Sequence, residues 1–251
     1  MGAALRVIPV IDVLNGVVVH AVRGERDRYR PVNSILCGSS NPLDVALTFR
    51  SLGFRELYVA DLDAIMGGHP SPSLPEQLAR TGLATMVDAG ITNLADARAL
   101  LATGTSRVVI GTETLTEPNF LKEAVDSFGG ERIRLSLDMR NRRLLTRSSK
   151  LEELDPASAA GLFRNMGVTS FIALDLARVG SLQGPDTHLL ETLVRTIPGE
   201  ILVGGGIRNS DDLRELQSLG VQGALIATSL HSGAITIQQL AESNFIPRER
   251  N

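Results

Sequence analysis

The chain has 251 residues, of which 43% are hydrophobic and 4% aromatic, so it can bury one large aliphatic core. A net charge of −3 gives no general attraction for nucleic acid or an anionic membrane, and a single cysteine, Cys37, excludes an intrachain disulfide and a cysteine-built metal site. No run of about 18 apolar residues predicts a membrane span, and no charged leader precedes the first aliphatic run, so we expect a cytoplasmic protein.

Strands and helices alternate along the whole chain. Short aliphatic runs predict eight β-strands, at residues 6–11, 56–60, 85–87, 107–110, 132–137, 170–174, 200–203 and 224–226. Stretches between them predict helices, such as 41–52, 94–103, 155–166 and 210–219, which open on the capping residues Asn41, Asn93, Asp155 and Asn209. Eight such units in about 250 residues favour one α/β domain over 1–251, a (β/α)8 TIM barrel, with a doubly wound open sheet as the alternative.

The second half of the chain repeats the first. Residues 89–112 align with 205–228 without a gap at an offset of 116, and nine pairs are identical, among them Gly90 with Gly206 and Thr112 with Thr228. Two further segments recur in the same order, one containing Asp12 and Asp138 and the other Asp61 and Asp175. Self-similarity of this extent is typical of a duplicated architecture, so we predict a two-fold barrel of half-barrels at about 6–125 and 132–240.

Polar residues follow most of the predicted strands. Five strands end at or next to an aspartate, and these are Asp12, Asp61, Asp88, Asp138 and Asp175. Loops after barrel strands meet at one face, where the active sites of such barrels lie. A carboxylate at the rim of an apolar strand is costly unless it is paired or hydrated, and each one could serve structure alone. As a set they predict a functional mouth.

Glycine-rich turns after the third and seventh predicted strands predict two anion sites. Glycines let backbone amides approach an anion closely, and a threonine after the neighbouring strand could complete each site. The predicted ligands of the first site are Gly90, Ile91, Gly111 and Thr112, and those of the second are Gly205, Gly206, Ile207, Thr228 and Ser229. If both bind phosphate, the substrate carries a phosphate at each end; the plainer alternative is that the glycines only shape turns.

A long segment without a helical pattern, residues 20–40, separates the first strand from the first helix. Loops of this length are usually lids or disordered, so this lid segment could close on substrate. Its arginines are Arg23, Arg26, Arg28 and Arg30, and Arg140 belongs to a second basic group after the fifth strand. We expect Arg23 and Arg140 to contact an anionic substrate, since guanidinium groups bind phosphate well. The four histidines lack metal-ligand spacing, and we expect no metal site.

The motifs together resemble those of the histidine-biosynthesis barrel family. They are IPVIDVLNG, LYVADLDAIMGG, AGITN with VVIGTETL, LSLDMR, LDLARVGSLQG, and GGGIRNSDDL with ALIATSL, and they span residues 6–233. The first, second and fifth lean toward the ProFAR isomerase branch rather than the cyclase branch. The resemblance implies a two-fold barrel and a phosphorylated sugar substrate with a phosphate at both ends.

That branch performs an Amadori rearrangement of an aminoaldose to an aminoketose, without a metal or organic cofactor. The resemblance assigns the base to Asp12, and the cyclase branch works with an aspartate on each of the first and fifth strands, here Asp12 and Asp138. Asp175 or Asp63 could substitute as the acid. It also implies a small phosphorylated or bis-phosphorylated sugar as the binding partner, and the protein is expected to be a monomer or weak homo-oligomer that binds neither nucleic acid nor membrane.

Four departures from the isomerase pattern affect the acid and the substrate contacts of the site. The acid position in the loop after the sixth strand is Val179, the threonine that supports it is Leu174, and the arginine after the third-strand glycines is Thr92. The loop after the fifth strand also lacks the family's Gly-Trp. Valine cannot donate a proton. Two alternatives to an isomerase therefore stay open: a diverged paralogue with a lyase or synthase reaction in another pathway, for example one-carbon cofactor synthesis, and a non-catalytic phosphometabolite-binding barrel.

Overall fold

The structure, a computed structural model, describes residues 5–246. Its strands are β1 (Arg6–Leu14), β2 (Val17–His20), β3 (Arg30–Pro31), β4 (Glu56–Asp61), β5 (Ala84–Asp88), β6 (Arg107–Gly111), β7 (Ile133–Arg140), β8 (Arg143–Leu144), β9 (Ser170–Asp175), β10 (Glu200–Gly204) and β11 (Gly223–Ile226). Its α-helices are α1 (Pro42–Ser51), α2 (Leu62–Ile65), α3 (Ser73–Ala79), α4 (Leu94–Ala102), α5 (Asn119–Phe128), α6 (Pro156–Asn165), α7 (Thr187–Thr196), α8 (Ser210–Ser218), α9 (Thr228–His231) and α10 (Ile237–Glu242).

Eight parallel strands close into a barrel. The order around the ring is β1, β4, β5, β6, β7, β9, β10 and β11, and β11 pairs with β1 to close it. These strands coincide with the eight predicted ones, and the helices alternate with them, so the predicted (β/α)8 barrel is confirmed and the open sheet is excluded. The strands β1 and β7 stand four places apart in the ring, on opposite sides of the mouth.

The predicted caps explain where the helices start. Asn41 and Asp155 each accept two amides of the following turn, ahead of Pro42 and Pro156 at the first helical position. Asn93 caps α4 by accepting the Asp96 amide, and Asn209 caps α8 by accepting the amides of Asp211 and Asp212. Such a cap contributes about 1 kcal/mol, because it satisfies amides that have no partner inside the helix.

The hydrophobic core has two layers. Residues such as Phe49, Leu100 and Phe163 fill the space between strands and helices. A second cluster, which includes Met86 and Ile172, fills the inside of the barrel below the mouth. Because aliphatic side chains fill the interior, polar groups collect above this plug at the carboxyl ends of the strands.

A network of ion pairs lies at the opposite end of the barrel. Arg134 is only 2% exposed, and its Nη2 lies 2.6 Å from Glu200 Oε2. Arg6 joins Glu200 to Glu56, and Arg107 lies 3.7 Å from Glu56. Burial lowers the pKa of Arg134 to about 10 although Glu200 opposes the shift. The network therefore pairs arginines with glutamates from strands of both half-barrels.

The lid segment is more ordered than a simple loop. Asn15 and Gly16 both have positive φ and turn β1 back into the antiparallel strand β2, which pairs with β3. A 3-10 turn at Arg26–Arg28 connects β2 to β3. Asn-Gly is the preferred pair for a two-residue hairpin turn, so this hairpin was readable in the sequence. Among the helices of residues 5–246, none is long and apolar enough to cross a membrane.

Candidate active site

A cavity of about 330 Å³ opens at the carboxyl ends of the barrel strands, under the lid segment. Three kinds of wall line it. Carboxylates come from Asp12, Asp88, Glu113 and Asp138, and apolar side chains come from Leu174, Leu176, Val179 and Leu182. The third wall is formed by residues 204–207 and 227–229, where no protein oxygen of the described chain accepts the amides of Gly206, Thr228 and Ser229. The cavity therefore has an acidic side, an apolar side and an amide-lined end.

The two carboxylates predicted to work together lie on opposite strands of the ring. Asp12 pairs through its backbone with Ala60 and Val19, and Asp138 pairs with Leu174. Burial raises the pKa of Asp12 to about 7, and no protein donor contacts its carboxylate within the described chain. Burial, and then the charge of Asp88, raise the pKa of Asp138 to about 7. Two carboxyls that titrate near neutral pH can exchange protons with a bound molecule.

Hydrogen bonds hold Asp138 in place. Its Oδ1 accepts from the Ser136 hydroxyl at 2.6 Å, and its Oδ2 accepts from the Glu113 amide at 3.1 Å. Its own amide donates to Thr112 Oγ1 at 2.9 Å. The two bonds to its carboxylate favour the ionised form and oppose the effect of burial, and they give the Asp138 carboxylate a fixed orientation that Asp12 lacks.

Asp88, one of the aspartates predicted at the mouth, and Tyr58, which was not predicted, complete the acidic side. Asp88 Oδ2 lies 3.4 Å from the Tyr58 hydroxyl, and its Oδ1 accepts the Gly90 amide at 3.1 Å. Burial raises the pKa of Asp88 to about 6. Burial and the nearby carboxylates of Asp88, Asp138 and Asp12 hold the pKa of Tyr58 well above its usual value. Tyr58 is therefore a neutral hydroxyl amid three carboxylates, a pattern visible only once β1, β4, β5 and β7 are side by side.

The glycine turn after β10 forms the amide-lined end. Gly206 has φ of +83°, and a Cβ there would lie 2.6 Å from the Gly184 carbonyl oxygen, so only glycine fits. Gly205 is equally constrained by the Asp175 carbonyl oxygen at 2.5 Å. Together with Ile207, Thr228 and Ser229, these residues line the cavity as predicted from the sequence. The turn therefore forms one end of the cavity.

The turn after β5 has a different relation to the cavity. Gly90, Ile91, Gly111 and Thr112, predicted as the other anion site, do not line it. Thr112 is fully buried, and a Cβ on Gly90 would lie 3.0 Å from Ile65 Cα. The helix α2 therefore packs directly against this turn.

The apolar side occupies the place where the family resemblance expects an acid. Leu174 and Val179 are partly buried and pack against the inner core cluster. Asp175 lies beside them but does not reach the cavity: its Oδ2 lies 3.1 Å from Arg178 Nε and its Oδ1 accepts the Ala177 amide. Burial nevertheless raises the pKa of Asp175. Its contacts are those of a residue that shapes the turn after β9.

The lid segment is fixed to the mouth at several points. Arg26 Nη2 lies 2.8 Å from Glu113 Oε1, and the Arg23 amide donates to the Val179 carbonyl. The Arg23 side chain points to a shallow outer cleft rather than to the main cavity, whereas Arg140 reaches both. Arg140 Nη2 donates to the Arg23 carbonyl at 3.2 Å. Arg26, which sequence reasoning placed only in a general basic group, is thus the lid arginine that lies in the cavity opposite an acid.

Two histidines line the cavity near the amide-lined end. His231 Nδ1 lies 2.8 Å from Ser34 Oγ, and the Nε2 atoms of His231 and His20 are buried without a partner among residues 5–246. Burial, and secondarily His20, lower the pKa of His231 to about 4, so the ring is neutral. In the sequence His20 stands at the start of the lid segment, and nothing near His231 indicates that it lines the cavity.

The parallel barrel, with carboxylates and an amide-lined turn at one mouth, places the protein among the (β/α)8 barrels that carry their sites at this face. The chain belongs to the histidine biosynthesis protein family, whose model matches residues 6–236. The family resemblance drawn from the motifs is therefore confirmed.

Two of the similar proteins carry the same assigned name. A protein of Methanosphaera stadtmanae is 32% identical over 92% of this chain and 96% of its own length, and one of Thermus thermophilus is 31% identical over 94% and 98%. Both are named 1-(5-phosphoribosyl)-5-((5-phosphoribosylamino)methylideneamino)imidazole-4-carboxamide isomerase, which is the ProFAR isomerase. An uncharacterized protein of Methanocaldococcus jannaschii is 32% identical over 94% of this chain and 97% of its own.

Proposed function

We propose that this protein is an acid–base enzyme that acts on a small phosphorylated sugar or aminosugar by isomerase-type proton transfer. The observation that carries the proposal is the pair of opposed carboxylates, Asp12 and Asp138, whose pKa values are both raised to about 7 in one cavity with an amide-lined end. The named isomerase relatives support the reaction class, because an aldose–ketose conversion needs one base and one acid.

Asp12 is the base in this proposal. Its carboxylate has no protein donor among the described residues, so its lone pairs are available to a substrate carbon-bound proton. A base whose pKa lies near neutral is effective because an appreciable fraction is ionised while its affinity for the proton stays high.

Asp138 is the acid. Its raised pKa leaves a protonated fraction at neutral pH, and Ser136 and Glu113 fix the direction of its carboxyl group. The reaction then balances without an added group. Asp138 protonates the ring oxygen as its bond to carbon 1 breaks and a carbon 1–nitrogen double bond forms, and Asp12 removes the proton from carbon 2 to give an enolamine. The enolamine becomes the aminoketose when carbon 1 takes the proton from Asp12 and the carbon 2 hydroxyl returns one to Asp138. The amide-lined end holds the phosphate and fixes carbon 2 relative to Asp12.

A second candidate is a related proton-transfer reaction, such as a lyase or synthase step, on a different phosphorylated substrate. The apolar side at Leu174 and Val179 favours it, since the family pattern has an acid and a threonine there. In that case Asp12 keeps its role as base, and the apolar side contacts a non-sugar part of the substrate.

Solvent exchange at carbon 2 tests the proton transfer without knowledge of the product. Phosphorylated aldoses and aminoaldoses, including ProFAR, are incubated with enzyme in deuterated water, and deuterium uptake is followed by NMR. Loss of a general base costs about 10²- to 10⁴-fold in rate, so Asp12→Asn should show that loss and still bind the substrate.

The matched control is Asp155→Asn. This residue carries a carboxylate that caps α6 outside the cavity, and asparagine caps equally well, so exchange should continue at the normal rate. Equal exchange rates in the wild-type protein and in Asp12→Asn would remove Asp12 from the mechanism. Binding without any exchange in the wild-type protein would favour the non-catalytic alternative.

A further inference from the structure

The two turns that the repeat relates differ in what their amides contact. At the offset of 116, the amides of Gly90, Thr112 and Glu113 correspond to those of Gly206, Thr228 and Ser229. In the first half, protein oxygens accept all three: Asp88 Oδ1 from Gly90, the Ser136 carbonyl from Thr112 at 2.9 Å, and Asp138 Oδ2 from Glu113.

The corresponding amides of the second half have no such acceptor. Within residues 5–246, no protein oxygen accepts the amides of Gly206, Thr228 or Ser229. All three residues line the cavity. Donors that face a cavity without a protein acceptor are available to an anion, whereas the donors of the first half are already used by the fold.

The charges near the two turns also favour an anion at the second turn rather than at the first. The position of the Ser229 hydroxyl is taken in the first half by the Glu113 carboxylate, which lines the cavity close to Asp88 and Asp138. Arg26 neutralises Glu113 but is itself held by both Glu113 oxygens, at 2.8 and 2.9 Å. A phosphate at this end would meet two further carboxylates and no available amide of the three, and like charges at such short range repel strongly.

We infer that the substrate carries one phosphate, bound at Gly206, Thr228 and Ser229, and that its other end, beside Glu113 and Asp88, carries hydroxyl or amine groups in place of a second phosphate. This inference rests on the proposed function, because it concerns the same cavity. It replaces the expectation, drawn from the sequence repeat, of a phosphate at both ends. The carboxylates of the first half can accept hydrogen bonds from hydroxyl or amine groups of a substrate. A doubly charged phosphate has no hydrogen to donate to them.

A pair of ligands tests the number of phosphates. Binding of ribose 5-phosphate and of ribulose 1,5-bisphosphate is measured by titration calorimetry, and crystals are soaked in inorganic phosphate to locate the sites. The expected result is one phosphate, at Gly206, and affinities for the two sugars within about threefold of each other. A second phosphate at Gly90 and Thr112, or a bisphosphate that binds 100-fold more tightly than the monophosphate, would overturn the inference and leave the proposed function standing. Absence of phosphate from both turns, with no binding of either sugar, would overturn both.

Variants at Glu113 and Ser229, which are equivalent positions of the two half-barrels, test where the phosphate binds. Ser229→Glu places the first-half residue at the second-half position and should weaken binding of ribose 5-phosphate at least 100-fold, whereas Glu113→Ser should still bind a single inorganic phosphate, at Gly206, in soaked crystals. Because Ser229 is buried, Ser229→Ala provides a milder change that keeps the amide, and it should weaken binding about tenfold. Normal affinity in both Ser229 variants would show that the phosphate binds elsewhere, against the inference.

Discussion

At neutral pH, where Asp138 is proposed to act, its buried and ionised carboxylate should lower the free energy of unfolding. The variant Asp138→Asn should not show this loss. The side chain is 4% exposed and its pKa is raised from 3.8 to about 7, mainly because burial disfavours the charged form. A folded-state pKa above the unfolded one means that the folded protein binds the proton more tightly. The stabilisation that the proton on Asp138 gives to the folded state is therefore fully present below pH 3.8, and it is lost as the pH rises through 7.

The size of the effect follows from that interval. Between pH 5 and pH 7 the folded state keeps a proton that the unfolded state has released, and each pH unit is worth about 1.4 kcal/mol, so the group contributes about 3 kcal/mol at pH 5 and almost nothing at pH 8. Asparagine has no proton to lose. The free energy of unfolding of Asp138→Asn should consequently fall less than that of the wild-type protein between pH 5 and pH 8, by about 3 kcal/mol.

Urea unfolding at both pH values, followed by circular dichroism, measures the difference. Asp126→Asn, on the exposed face of α5, controls for the removal of one negative charge and should follow the wild-type protein. Parallel curves for the wild-type protein and Asp138→Asn would refute the argument, since they would mean that Asp138 ionises in the folded protein as easily as in the unfolded chain. Its proposed role as an acid at neutral pH would then fail too.

Three further changes probe the floor of the barrel, the lid segment and the histidine. Glu200→Gln leaves the buried Arg134 without its closest carboxylate and should lower the free energy of unfolding by about 3–5 kcal/mol in urea titrations, whereas an unchanged midpoint would show that Arg134 needs no partner there. Arg26→Met removes the contact to Glu113 and should speed amide hydrogen exchange in residues 20–40 while α1 exchanges as before; unaltered exchange would mean that other contacts hold the segment. His231 has a pKa lowered to about 4, so the stability it provides is present above about pH 6.5 and lost as the pH falls toward 4; relative to His231→Asn, the wild-type protein should lose about 2–3 kcal/mol between pH 7 and pH 4.5, and an equal loss in both proteins would contradict the burial argument.

The barrel was predictable because its signals are local. Each barrel strand is a short aliphatic run, and helices α1, α4, α6 and α8 begin next to a residue whose side chain caps them, so neighbouring residues alone indicate the order of elements. The hairpin at Asn15 and Gly16 carries an equally local signal. Arg134 has no such signal. From sequence alone, a charged residue inside a strand is expected to be exposed. Arg134 is buried because it pairs with Glu200, which is 66 residues away in the chain.

The acidic side of the cavity was predictable only in part, for the same reason. An aspartate after a strand indicates the mouth of a barrel, which brought Asp12 and Asp138 into the prediction. Nothing near Tyr58 in the sequence relates it to carboxylates on three other strands, although its pKa shift depends on all of them. The lid arginines show the same limit of prediction from sequence. Four arginines lie in the segment with no signal that separates them, but among them only Arg26 pairs with Glu113.

The difference between the two turns arises from one step of strand pairing. On the β6–β7 side the ladder runs through Ile110 with Leu135 to Gly111 with Ser136, whereas on the β11–β1 side it stops at Ile226 with Pro9, which is the equivalent of the first of these pairs. The extra step on the first side leads on to the bond from the Thr112 amide to the Ser136 carbonyl, and it places the Glu113 amide within reach of Asp138. On the second side Ala227 leaves the strand, with φ of −127° and ψ of −74°, and α9 begins with Thr228 and Ser229, which line the cavity and whose amides have no protein acceptor in the described chain. Duplicated sequence therefore preserves the glycines and threonines of both turns, while pairing with the next strand decides which turn keeps its amides for a ligand.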